Sequence, residues 1–153
     1  MEKIVLHVDD DQAILNLVSM SLRKRGYIVI SVRDPQIAIP ILFKSGVRVV
    51  ILDIDMPGMD GLTLLSEIKK RDAGIKTIML TGMVSMGTVL HATRLGAEEC
   101  VFKPIKDLES VGDAVERCFL NIDSWWDALR EWMDLNKVNA GAIDGNNKSL
   151  HLN

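Results

Sequence analysis

Five times within the first 120 residues, a short run of β-branched and aliphatic residues gives way to a longer stretch whose apolar positions follow a helical period. Ile4-Val5-Leu6-His7-Val8 reads as a buried strand, and Asp11 to Arg25 as a helix with Ile14, Leu15, Val18 and Leu22 on one face. Gly26 stands where a helix C-terminus favours glycine. The alternation then repeats. Ile28 to Val32 is a strand, and Asp34 to Lys44 a helix with Asp34 as cap and Pro35 in its first turn. Val47 to Leu52 and Lys76 to Leu80 are strands, separated by a helix over Leu62 to Arg71. Val84 to Leu95 is a helix, Cys100 to Phe102 a strand, and Ile105 to Leu120 a helix. Parallel neighbours need crossovers, so this order predicts an α/β fold: a doubly wound parallel sheet with helices on both faces. Pro40 is the exception, and inside the second helix it should kink or end it.

The last 33 residues differ in character. Trp125, Trp126 and Trp132 are the chain's three tryptophans, and they join Ile122, Leu129 and Met133 in one helical stripe with Ser124 as a candidate cap. The reading is therefore a main domain over 1–120, an amphipathic Trp-rich helical extension over 121–138, and a flexible tail over 139–153. The stripe either packs on the main domain or serves as a surface for a partner or a second copy, a homodimer.

Composition narrows the function classes. With 18 Lys and Arg against 21 Asp and Glu, the net charge is −3, so phosphate-backbone binding and a nucleic-acid partner are not expected. No apolar run approaches the roughly 20 residues of a membrane span. Met-Glu-Lys-Ile carries an acid where a signal peptide would be basic. Two cysteines, Cys100 and Cys118, are too few for a disulfide scaffold or a thiolate zinc site. The expectation is a cytoplasmic protein without membrane insertion.

In open α/β sheets, ligands bind beyond the carboxyl ends of the strands. There the first strand ends in Asp9-Asp10-Asp11, the third in Asp53, the fourth in Thr81-Gly82 and the fifth in Lys103-Pro104. Carboxylates crowded on one edge raise one another's pKa unless a cation sits among them. Oxygen ligands on short loops suit Mg²⁺. A lysine and a threonine converging there offer donors to phosphate oxygens, and phosphoryl transfer needs little beyond positioning, a metal and charge neutralisation. An aspartate can itself accept the phosphoryl group.

Val8-Asp9-Asp10-Asp11, Leu52-Asp53-Ile54-Asp55-Met56-Pro57-Gly58-Met59-Asp60-Gly61, Thr81-Gly82 and Phe102-Lys103-Pro104 together closely resemble the receiver domain of bacterial two-component response regulators. The resemblance covers about residues 1 to 120. It implies a flavodoxin-like (βα)5 fold with strand order 2-1-3-4-5. It further implies that Asp53 accepts a phosphoryl group from a sensor histidine kinase or a histidine phosphotransfer protein. Asp9, Asp10 and Asp53 would hold Mg²⁺ together with the backbone carbonyl of Asp55, while Thr81 and Lys103 would act on the phosphate. Pro57, Gly61 and Pro104 match structural positions, the last in a bond often cis in the family. Asp55, Met83 and Cys100 match positions that modulate the response. Output would pass to a downstream protein that the sequence does not name, with autodephosphorylation as the only other chemistry.

Cys100 stands where receivers usually carry Tyr or Phe, and it is too small for an aromatic rotamer switch. Two alternatives stand beside the leading reading. Asp53-Ile54-Asp55 also resembles the Asp-x-Asp of haloacid-dehalogenase-type phosphatases, although that family places it on the first strand. The chain could also be a receiver fragment of a larger regulator. His7 reads as a packed histidine and His91 as a solvated one, neither a phosphodonor. Arg23-Lys24-Arg25 and Lys69-Lys70-Arg71 read as favourable charge at helix C-termini.

Overall fold

Strand β1 (Ile4–Val8) is an interior strand with neighbours on both edges, β2 (Ile28–Val32) and β3 (Val49–Leu52). Beyond β3 lie β4 (Lys76–Thr81) and β5 (Glu99–Phe102), and every pairing is parallel. The strand order is thus 2-1-3-4-5. This computed structural model describes residues 2–82, 85–103 and 108–147, the last six as backbone alone. Pro104, Met83, Val84 and the expected helix start at Ile105 lie outside the described residues, as do 148–153.

The crossovers are α1 (Gln12–Lys24), α2 (Ala38–Ser45), α3 (Gly61–Arg71) and α4 (Met86–Arg94), with α5 (Leu108–Asn147) following β5. Their starts are written locally. Asp11 accepts hydrogen bonds from the N–H groups of Ala13 and Ile14, Asp60 from Thr63, and Ser85 from Thr88. The central strands are apolar along their whole length because helices cover both sides: all of β3 is buried, and so is β4 after Lys76. Leu6, Val50, Leu52, Leu64, Leu65, Ile68 and Met79 form the heart of one core cluster.

Three expectations need correction. Pro40 does not kink a helix. The segment after Asp34 is a 3₁₀ turn over Pro35–Ile37, and α2 begins only at Ala38, which places Pro40 in its first turn. There a missing N–H costs nothing, because the first four have no intrahelical acceptor. Ser124 caps nothing, since it lies inside α5, which runs without interruption from Leu108. The helix also continues to Asn147, past the residue 139 at which a frayed tail was expected. Asn and Gly lower helix propensity but do not forbid helix. The chain divides into two units, Met1–Phe119 and Leu120–Asn153. No helix among the described residues is long and apolar enough to cross a membrane.

Candidate functional site

The hydrogen-bond ladder runs one step past the strands and fixes the acids at their ends. The Asp9 N–H donates to the Val32 carbonyl at 3.1 Å, and the Asp53 N–H to the Val8 carbonyl at 3.0 Å. With Val8 opposite Leu52, both side chains emerge at one level of the sheet edge. Lys103 is held likewise, its N–H donating to the Thr81 carbonyl at 2.8 Å. Asp9, Asp53 and Thr81 are buried and Asp10 is half-buried.

One carboxylate oxygen from each of Asp9, Asp10 and Asp53 lies within 4.8 Å of the others. Lys103 Nζ donates to Asp9 Oδ2 at 3.0 Å and stands 3.5 Å from Asp53 Oδ2. The other Asp9 oxygen, Oδ1, accepts the Asp11 N–H at 2.9 Å. Burial, then the charge of Asp9, pushes the Asp53 carboxyl up to about 6, against the pull of Lys103 and of the Asp55 N–H. For Lys103, burial works against the ammonium, but the hydrogen bond and charge of Asp9, then those of Asp53, prevail and raise its pKa. One lysine among three carboxylates leaves net negative charge, so the donor set fits a hard, oxygen-seeking divalent cation such as Mg²⁺.

The loop from β3 to α3 is shaped around Asp53. Gly61 donates its N–H to the Ile54 carbonyl at 2.8 Å, and a Cβ there would stand 2.0 Å from the Asp53 carbonyl oxygen. Only glycine permits that approach. Gly58 adopts φ +86°, turning the loop after the exposed Pro57. The Asp55 side chain is exposed while its N–H faces Asp53. Cys100 lies opposite Met79, half-buried and packed against the core cluster.

Of the residues singled out from sequence, the structure therefore brings Asp9, Asp10, Asp53, Thr81 and Lys103 to one edge, with Asp55 beside them. Two neighbours were not foreseen. Arg33 donates through Nη2 to the Asp10 carbonyl at 3.2 Å, across 23 residues of chain, a contact without a local signal. His7, fully buried, sets Nε2 3.8 Å from Asp9 Oδ2, and among the described residues neither ring nitrogen has a hydrogen-bond partner. Burial, then the charge of Lys103, lowers its pKa to about 3, so it is a neutral neighbour of the acids.

Comparisons with known proteins agree with this geometry. A family model described as the response regulator receiver domain matches residues 5–115. Sporulation initiation phosphotransferase F of Bacillus subtilis is 31% identical over 117 residues, which cover 76% of this chain and 94% of that protein. The transcriptional regulatory protein GlrR of Escherichia coli is 33% identical over 125 residues, 80% of this chain, yet the chain spans only 28% of that regulator's length. Among solved structures, Vibrio cholerae chemotaxis protein CheY4 superposes with a TM-score of 0.72 at 27% identity, covering 77% of this chain and 99% of that one. A response regulator receiver domain from Clostridium thermocellum gives 0.75 at 26% identity, covering 80% and 98%.

Proposed function

The chain belongs to the response regulator receiver domain family, and from that premise we propose that Asp53 accepts a phosphoryl group from a phosphohistidine on a kinase or phosphotransfer protein. The observation that carries this reading is the cluster of Asp9, Asp10 and Asp53 within 4.8 Å, with Lys103 between two of them. An Asp53 oxygen forms a bond to phosphorus while the phosphorus–nitrogen bond of the donor breaks. The leaving imidazole keeps the electron pair and takes a proton from water. Asp53 must be ionised to attack, and a pKa near 6 leaves it so at neutral pH.

Asp9, Asp10, Asp53 and the backbone carbonyl of Asp55 would hold Mg²⁺. Bound there, Mg²⁺ neutralises the carboxylates and the phosphoryl oxygens. Lys103, already paired with Asp9 and near Asp53, is placed to turn to a phosphoryl oxygen. Thr81, at the end of β4, offers a hydroxyl to another. Output is phosphorylation-dependent binding to a downstream protein. Cys100 in the aromatic position centres the response on the segment after β4 rather than on a ring rotation. The phosphatase reading finds no support: Asp53-Ile54-Asp55 leaves the third strand, and the family shown is another.

The test is labelling by acetyl phosphate. Incorporation should require Mg²⁺ and vanish in Asp53→Ala, and Asp10→Ala should weaken Mg²⁺ binding by removing an anionic ligand. Labelling that survives Asp53→Ala moves the acceptor elsewhere.

A further inference from the structure

The second unit carries a surface that the phosphoacceptor chemistry does not use. Taking Ile122 as position a of a seven-residue repeat places Leu129 and Asn136 at a, Trp125, Trp132 and Asn139 at d, and Trp126 and Met133 at e. The g positions are Ala128 and Leu135. All the charges of the stretch (Asp123, Asp127, Arg130, Glu131, Asp134 and Lys137) fall at b, c or f. Traced backward, the same register runs through Val111, Val115, Cys118 and Phe119, which are buried. Beyond Ile122 the stripe lies open: Trp125 is 71% and Trp132 is 62% exposed.

Packing of an amphipathic face, more than intrinsic propensity, is what normally sustains a helix in a protein. The features of this face select what covers it. It carries no charge, so it neither attracts an oppositely charged partner nor repels its own image. Its spacing is seven residues, the period that winds identical helices into a left-handed supercoil. A single asparagine at an a position is a device that sets register and oligomer state in such pairs. The three tryptophans with Leu129 and Met133 expose on the order of 600–700 Å² of apolar surface, close to the roughly 800 Å² per partner of a standard interface. We propose that the helix from Ile122 to Asn139 is a self-association element that pairs with the same helix of a second copy of this chain.

Light scattering or sedimentation of the 153-residue chain tests it. At high micromolar concentration the mass should approach twice 17.0 kDa. Trp125→Glu with Trp132→Glu should weaken association by roughly 100-fold or more, since paired aromatic anchors dominate such interfaces. The unfolding midpoint of the first unit reports that these variants keep their fold. Asn136→Leu, which leaves the tryptophans intact, should tighten association or raise its order. Asp127→Ala, at an f position, should change nothing. A monomeric parent chain, a double variant that keeps the dimer mass, or an Asp127→Ala variant that dissociates as readily as the tryptophan pair would each overturn the proposal.

Discussion

At the scale of single residues, Asp53 is held under tension between burial and reactivity. Its folded pKa of about 6 lies above the unfolded value of 3.8. Between those two values the unfolded chain has released a proton that the folded chain still holds, so stability falls as pH rises from about 4 to about 6. The loss is on the order of 1–3 kcal/mol without metal. Asp53→Asn removes the charge, and in EDTA at pH 7.5 it should be the more stable protein in urea. The advantage should shrink toward zero near pH 4, and equal midpoints at both pH values would show that the carboxylate is not strained. Asp55 is the second residue to vary. Its exposed side chain follows Asp53 by two positions, so it can meet water approaching the phosphoryl group. Asp55→Lys should pair with the phosphate, obstruct that water and lengthen the phosphorylated lifetime, with Asp55→Ala between it and the parent. The effect should stay well below the 10²–10⁴-fold typical of general acid–base catalysis. Acyl-phosphate decay in excess Mg²⁺ reads the order, and faster decay in Asp55→Lys contradicts it.

Among the elements, the β3–α3 loop is where the backbone is least replaceable. Gly61→Ala would gain helix propensity of somewhat under 1 kcal/mol, but its Cβ meets the Asp53 carbonyl oxygen at 2.0 Å and the Ile54 Cα at 2.8 Å. Both are backbone atoms, so the loop must move, and Asp53 with it. The expected result is a net loss of about 2 kcal/mol or more together with slower labelling by acetyl phosphate. Gly87→Ala is the control: its Cβ meets nothing closer than Ser85 Oγ at 3.9 Å, so it should be neutral or slightly stabilising. If the two variants melt alike, the crowding at Gly61 is not real. The same scale shows what could be read from sequence. Strand and helix periods differ, so the five βα pairs were legible, and the strand ends announced Asp9, Asp53, Thr81 and Lys103. Pro40 misled because the α-helix starts three residues later than a cap at Asp34 suggested, and only then does its missing N–H fall among groups that need no partner. Arg33 on the Asp10 carbonyl depends on β2 lying beside β1, which no local pattern of side chains encodes, whereas His7 beside Asp9 follows from the two-residue period of β1 itself.

For the whole molecule, the division at Phe119 separates two kinds of stability. The core cluster with its partly buried members lies between Ile4 and Cys100, and the site between Asp9 and Lys103, all within the first unit. The second unit has one helix and, from Asp123 to Gly141, only exposed side chains among the described residues. A segment of that kind gains its helicity from packing, and packing between copies makes helicity depend on concentration. Ending the chain after Asp123 should therefore leave the unfolding midpoint and the acetyl phosphate labelling of the first unit unchanged within error. The full chain should gain ellipticity at 222 nm as its concentration rises through the micromolar range, while the shortened chain should give a constant value per residue. The order of these effects matters. A helix sustained by its own propensity would show the same ellipticity at every concentration, and the tryptophan stripe would then be exposed without consequence for folding. A shortened chain that melts early would instead place part of the first unit's stability in the residues removed.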